Sequence, residues 1–498
     1  MGRSILRGFL SIFGGRIGWL VVGMVSTPVV VRVLGASNYG DYGVVLSVIS
    51  IIWILVNAGI FDGIRKYIAE DRDAPDWESD VFVFYLRVGM VTAVAAAVLL
   101  AAAAYFGVVQ TVFGPAFESY FYIAAGIIVA KQVWAVSRGA LMGFRYEEFS
   151  ESIRLFRLVL LLSIGLSLAV AGYAVDGMLL GRLAATVVVA AGGFLLVHRK
   201  VSLDSVTSPI REEFPRRELL TFNSLSVVLT FLMASLYHTD VLLLKAFVGS
   251  TKTGYYKAAL VMAEFMWFAP RSLQMVLLHS TSQLWSNDRR ERITELASRT
   301  TRYCLLFALL LATGLASLAD VVVPLYFGEG FAPAVTPLLV LLPGAVGFAV
   351  SRPIFAIGQG EGSLRVLIYA TSVAAALNLG LNVALIPQYG MLGAAIGTSV
   401  GYGSMVVLHV WSARRIGFDP AGDLRLGRVA LTAVPSAAVI FFLADAIRTE
   451  LLALAVVPPV GFVVFAGFAY ATGAVDRSEV DELVDQLPIA RFPFVSAE

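Results

Sequence analysis

Seven charged residues stand out inside otherwise apolar stretches of the sequence: Arg16, Lys131, Arg138, Asp240, Glu264, Arg271 and Arg352. A charge near the centre of a bilayer costs at least ~2.5–3.5 kcal/mol on insertion scales, so each of these should face protein or a water-filled cavity. Lys131 and Arg138 are seven residues apart, as are Glu264 and Arg271, which sets each pair on one helix face. Turned inward, such faces make a wet cavity with more positive than negative charge, suited to binding phosphate oxygens. Asp240 and Glu264 can hold those cations in place or bind a coupling ion. Plainer roles compete at each position. Arg138 and Arg352 lie toward one end of their blocks, where a long side chain snorkels to the interface. Glu264 and Arg271 can pair with each other or with Asp240 as structural glue. Arg16 is roughly two turns into the first block, whereas Lys131 lies near the centre of its own and has the least access to either escape. His238, two residues before Asp240, fits a packed or interfacial histidine better than a ligand.

Other chemistry finds little support. Asp71-Arg72-Asp73 has the acid-x-acid form that holds a divalent metal in nucleotide-sugar transferases, but it sits in a short loop with no nucleotide-binding domain around it. A solvated charge run explains it. No Gly-x-x-x-x-Gly-Lys-Ser/Thr loop occurs, so ATP hydrolysis by that route is excluded. The single cysteine, Cys304, lies in an apolar block and offers neither a disulfide nor a thiolate metal site. No cofactor or metal is implied, and the chain is expected not to be an enzyme.

These residues must be positioned by membrane helices. Of 498 residues, 58% are hydrophobic and 14% charged, and the mean hydropathy is +0.81; a soluble domain has roughly 45–50% apolar and about 25% charged residues. The apolar residues fall in blocks long enough to cross ~30 Å of hydrocarbon. About fourteen spans are expected, near 8–33, 39–62, 80–105, 116–143, 150–172, 176–198, 218–248, 254–283, 300–326, 332–358, 364–386, 391–412, 427–446 and 451–473. The formal net charge of +2 gives no basic excess to attract nucleic acid. With the N-terminus inside, 25 of the 37 Lys and Arg fall in inside segments, 5 outside, and the other 7 within apolar blocks. This bias places both termini in the cytoplasm, which an even number of crossings requires.

The chain also matches itself. Gly35, Gly40 and Tyr42 correspond to Gly249, Gly254 and Tyr256; Phe113, Gly114 and Phe117 to Phe327, Gly328 and Phe331; Val136-Ser137-Arg138 to Val350-Ser351-Arg352, always at an offset of 214. Gly177-Met178-Leu179 matches Gly390-Met391-Leu392 at 213. An all-α integral membrane protein follows, with two six-helix lobes in the same orientation and two extra C-terminal helices. The expected division is an N-lobe over 1–200, a cytoplasmic linker over 201–217, a C-lobe over 218–414, the added helices over 427–473 and a cytoplasmic tail over 474–498. Transporters with parallel repeats hold substrate between the halves and expose it alternately to each side.

Several strings carry a family resemblance: Val31-Arg32-Val33-Leu34-Gly35 followed by Tyr39-Gly40-Asp41-Tyr42; Gly63-Ile64-Arg65-Lys66-Tyr67-Ile68-Ala69-Glu70; Asp240 leading to Gly254-Tyr255-Tyr256; and Asn378 and Asn382 leading into Ile386-Pro387 and Tyr389-Gly390-Met391-Leu392-Gly393-Ala394-Ala395. Over nearly its whole length the chain resembles the prokaryotic polysaccharide-transporter flippases, relatives of O-antigen flippases in the multidrug, oligosaccharidyl-lipid and polysaccharide exporter superfamily. The resemblance implies a fourteen-helix, two-lobed fold. It also implies flipping of a lipid-linked saccharide, on a polyprenyl or dolichyl phosphate or pyrophosphate, from the cytoplasmic to the outer leaflet. Arg16, Lys131, Arg138, Arg271 and Arg352 are then the candidate phosphate or sugar contacts. Membrane lipids and glycan-assembly enzymes are the other expected partners, and nucleic acid is not one. The rival reading is an ion-coupled multidrug exporter of the same superfamily. Such exporters often carry an acidic residue in the first helix, where this chain has Arg16 and no Asp or Glu. Only 6 of the 37 basic residues are lysine, as in high-GC genomes; a halophilic archaeon would supply a dolichyl carrier and a bacterium an undecaprenyl one.

Overall fold

The computed structural model describes residues 2–70, 72, 74–201, 210–479 and 481, with side chains from residue 22 onward except that of His279. Every regular element among them is helical. Among the described residues, eleven helices are long and apolar enough to cross a membrane. Large apolar side chains stay exposed along them, such as Val91, Leu99, Phe442 and Val463, as lipid-facing positions do. The chain divides into two compact units, Met1–Ala258 with Tyr326–Pro333 and Ala375–Gly397, and Ala259–Leu325 with Ala334–Ala374 and Thr398–Glu498.

In the first unit α1 (Gly2–Asn57) contains Pro28 and is broken at Gly35, whose φ of 68° and ψ of 172° leave the helical region. It is followed by α2 (Ile60–Ala69), α3 (Trp77–Tyr105), α4 (Val108–Phe113), α5 (Phe117–Gly143) and α6 (Glu147–Leu168). A π-turn over Ala169–Tyr173, with Gly172 at φ 102°, leads to α7 (Ala174–His198). After the short α8 (Arg216–Thr221) come α9 (Ser224–Val248) and the start of α10 (Ser250–Phe265). Helices α5, α6 and α7 pack on one another, and α1 packs on α6 and α9. Small residues set the closest approach: a Cβ on Gly181 of α7 would lie 2.4 Å from the Cα of Gly165 in α6. Without a hydrophobic drive inside lipid, such close backbone packing is what holds membrane helices together.

Aromatic and polar contacts tie the segment before α9 to α2 and α3. Phe214 packs on Trp77 and Phe84, Tyr85 Oη donates to the Leu219 carbonyl at 3.0 Å, and Arg211 bridges Asp80 at 2.6 Å.

The second unit takes in α11 (Phe268–Ser286), α12 (Arg290–Ser317), most of α13 (Ala319–Phe327), α14 (Val335–Glu361), parts of α15 (Leu364–Tyr389) and α16 (Met391–Ile416), and α17 (Leu426–Ala446) with α18 (Glu450–Ala471). Helix α14 packs on α11 and α12, and α12 on α17 and α18. Two of the expected continuous spans are interrupted. The block 254–283 is split because the helix stops at Phe265 and restarts at Phe268, where Pro270 sits in the first turn and needs no N–H partner. The block 300–326 is likewise two helices, parted at Leu318. The start of the acidic tail is docked: Glu479 and Asp423 both accept from Arg302, a fully buried side chain of α12, and Asp476 bridges Arg425 at 2.6 Å.

Candidate functional site

The first unit gathers cations on three adjacent helices. Lys131 and Arg138 lie on one face of α5, as their spacing requires, but their surroundings differ. Arg138 Nη2 donates to Glu151 Oε1 at 2.7 Å and its Nε to Ser150 Oγ at 3.0 Å, both on α6, and its guanidinium lies over the Phe61 ring. Glu151 also bridges Arg154 at 3.3 Å, so its charge is shared by two cations. Lys131, half-buried, has its Nζ 4.2 Å from the centroid of Trp53 on α1, a cation–π contact worth about 0.5–2 kcal/mol.

Two residues that the sequence did not single out complete this cluster. Arg157 of α6 and Arg182 of α7 both lie within electrostatic reach of Lys131 and of each other. Arg182 Nη2 donates to Tyr42 Oη at 2.9 Å. The Nε atoms of Arg157 and Arg182 are buried and find no hydrogen-bond partner among the described residues. Nor does any carboxylate among those residues form an ion pair with Lys131, Arg157 or Arg182. Elsewhere half-buried Arg138 is neutralised by Glu151, buried Lys245 by Asp41, and buried Arg302 by Asp423 and Glu479. Lys131 lies over the ring of Trp53 and Arg182 over that of Tyr42. The sequence did carry a signal for Arg182, an arginine inside the apolar block 176–198. Arg157, ten residues past the first residue of α6, is ~15 Å along that helix.

The remaining candidates have surroundings of their own. Asp240, fully buried on α9, accepts from Tyr256 Oη and from the amide of Val241 at 2.7 Å. In the second unit, Arg352 of α14 donates to Gln274 Oε1 at 3.0 Å and, like Arg271 of α11, lies over the ring of Trp267, 5.6 and 5.3 Å from its centroid. Trp267 is itself fixed by its Nε1 donating to the Ala345 carbonyl at 2.9 Å. Glu264, the last residue but one of α10, lies on the far side of the break at 266–267 from Arg271, so the two do not share one continuous helical face. The side chain of Arg16 lies outside the described residues.

An all-helical, multi-pass membrane protein with clustered intramembrane cations is the class that fold and site define. Solved structures share the fold. Lipid II flippase MurJ in an inward closed conformation superposes with a TM-score of 0.73 at 14% identity, over 93% of this chain and 98% of that one. An inward-facing multidrug resistance MATE family transporter of the MOP superfamily gives 0.66 at 17% identity, over 79% and 94%. The family model described as polysaccharide biosynthesis protein matches residues 29–336, and the chain belongs to that family. A relative in Haloferax volcanii, the probable low-salt glycan biosynthesis flippase Agl15, is 22% identical over 416 residues, 82% of each chain. An uncharacterized membrane protein of Methanocaldococcus jannaschii, MJ1068, is 23% identical over 251 residues, 50% of each.

Proposed function

We propose that this protein is a flippase that carries a lipid-linked oligosaccharide or polysaccharide precursor from the cytoplasmic to the outer leaflet by alternating access, for cell-surface polysaccharide or glycoprotein synthesis. The carrier is a polyprenyl or dolichyl phosphate or pyrophosphate. The observation that carries this reading is the cluster of Lys131, Arg157 and Arg182, which no described carboxylate neutralises. A phosphate supplies the missing negative charge, guanidinium donors match its oxygens, and Trp53 and Tyr42 offer faces to a sugar ring. The lipid tail stays in the bilayer throughout. The family match and the flippase relative in Haloferax volcanii support the same substrate class. A multidrug exporter is compatible with the fold, but this cluster repels cationic drugs.

Arg16, Arg138, Arg271 and Arg352 are further contacts for phosphate or sugar in this reading, with Asp240 and Glu264 balancing charge or coupling to an ion. Both termini are cytoplasmic and the enzymes that assemble the glycan are partners on that side. Counting α1 as two crossings, Glu147–His198 as two, and α10 with α11 as one turns the eleven long apolar helices into fourteen. The repeat over 1–200 and 218–414, joined by 201–217 and followed by 427–473 and the tail 474–498, draws support from matched backbone breaks. Gly35 and Gly249 have φ of 68° and 89°, and Gly114 and Gly328 have 105° and 109°.

The test is a leaflet-resolved assay of lipid-linked glycan with a membrane-impermeant probe, in cells with and without the protein. Deletion should trap the glycan lipid in the cytoplasmic leaflet; wild type and Lys131→Arg should release it, and Lys131→Glu should not. Unchanged glycan lipid on deletion would overturn the reading and turn attention to drug efflux under an imposed ion gradient.

A further inference from the structure

Within the first unit, segments from the two halves of the chain meet at 24–42, 245–256 and 326–331. Gly35 breaks α1 at φ 68° and ψ 172°, and Gly249 ends α9 at φ 89° and ψ 178°. One turn beyond each break the backbones cross with reciprocal contacts. A Cβ on Gly40 would lie 2.1 Å from the Ser250 carbonyl oxygen, and a Cβ on Gly254 would lie 1.8 Å from that of Ala36. Each glycine stands four residues after the carbonyl that its counterpart touches, so neither helix can shift without opening both contacts.

Beside this crossing sits a buried ion pair. Lys245 Nζ donates to Asp41 Oδ1 at 2.8 Å and to Ser250 Oγ at 2.5 Å, with side-chain exposures of 8% for Lys245 and 12% for Asp41. The Phe117 ring covers the ammonium, its centroid 4.8 Å away. Two further contacts join the same segments. Tyr326 Oη donates at 2.5 Å to the Met24 carbonyl, which the helix leaves free because Pro28, four residues on, has no N–H. Tyr39 and Tyr255 both turn ring edges to Phe331, with centroids 6.4 and 5.7 Å away.

The geometry points to a latch that holds the outer end of this unit shut, with Asp41 and Lys245 as its ionic bolt. The assignment to the outer side rests on the topology of the flippase reading, in which 33–39 and 248–254 are external. The bolt differs from the rest of the crossing in its chemistry. Glycine contacts and ring edges part with little electrostatic cost, whereas separating a buried ion pair requires each charge to find water or a new partner. Opening therefore hydrates Asp41 and Lys245, and release of substrate to the outer leaflet waits on that step.

The test uses labelling, which needs no substrate and so stands apart from any flipping assay. Thr253, fully buried beside the crossing, is replaced by cysteine in a Cys304→Ser background, and its reaction with an impermeant maleimide is timed from outside. Neutralising the bolt with Asp41→Asn and Lys245→Gln together should speed labelling roughly tenfold, as a shift of ~1.4 kcal/mol in the closed-to-open balance gives. The swap Asp41→Lys with Lys245→Asp should return it toward the parent rate. An unchanged rate in the neutralised variant, with the melting temperature of the parent, would overturn the latch. Acceleration confined to inside-out vesicles would uphold the latch and overturn the topology.

Discussion

Lys131 and Arg138 share one face of α5 and meet opposite electrostatic surroundings, which sets what their substitution should do. Arg138 is neutralised by Glu151, in a pair that ties α5 to α6. Glu151→Gln removes the charge facing both Arg138 and Arg154 and should lower stability by about 1–3 kcal/mol, read as a drop in the melting temperature of purified protein. Lys131, Arg157 and Arg182 should behave in the reverse way. Reversing any one to Glu should weaken binding of a phosphate-bearing lipid by about 10- to 100-fold, the loss of one charge-assisted contact. Stability should hold or rise, because the substitution relieves repulsion among like charges. Equal loss of binding and stability at these three positions would mean that they are structural too. Asp240 depends on the Tyr256 hydroxyl, so Tyr256→Phe should lower the melting temperature while leaving that phosphate binding intact.

At the level of elements, helix contacts through glycine and the docked tail each make a distinct prediction. A Cβ at Gly181 would overlap Gly165 of the neighbouring helix, whereas one at Gly192, further along the same helix, meets nothing within 4 Å. Gly181→Ala should therefore cost about 1–3 kcal/mol by overpacking, and Gly192→Ala should be neutral or stabilising, as thermal melting in detergent will show. The tail adds a pH dependence. The hydrogen bond from Arg425 holds the Asp476 carboxyl below its ordinary value. A group depressed in the folded state stabilises fully above its unfolded value and loses that contribution as the pH falls through the folded one. Hydrogen-exchange protection of residues 473–479, corrected for intrinsic rates, should thus decline below the ordinary carboxylate range, and Asp476→Asn should flatten the decline.

For the whole molecule, the sharpest prediction concerns sidedness. If the bias of Lys and Arg sets orientation, single cysteines introduced in a Cys304→Ser background should label from opposite sides: Arg217→Cys from the cytoplasm, and Lys252→Cys, which is exposed, from outside. Labelling of both from one side would break the even count of crossings that places the termini together.

Composition and block length alone made this a helical membrane protein, because no soluble fold hides so much apolar surface, and the family strings were legible as written. Lys131 stood out in the sequence, since a lysine in mid-span has no inexpensive place except a polar cavity or a partner, and the fold sets it over the ring of Trp53. The sequence could not show which cations are neutralised. Spacing along one helix says nothing of the groups on the next, so Glu151 beside Arg138, Arg157 and Arg182 within electrostatic reach of Lys131, and Tyr256 beside Asp240 emerged only with the packing of the helices. The heptad spacing of Glu264 and Arg271 failed for a related reason, because hydropathy does not register a break that a proline tolerates at a helix start. Apolar block length decided that helices form and roughly where, because a backbone in lipid must satisfy its own hydrogen bonds; tertiary structure decided which charges face each other, because that depends on residues brought together from helices far apart in the chain.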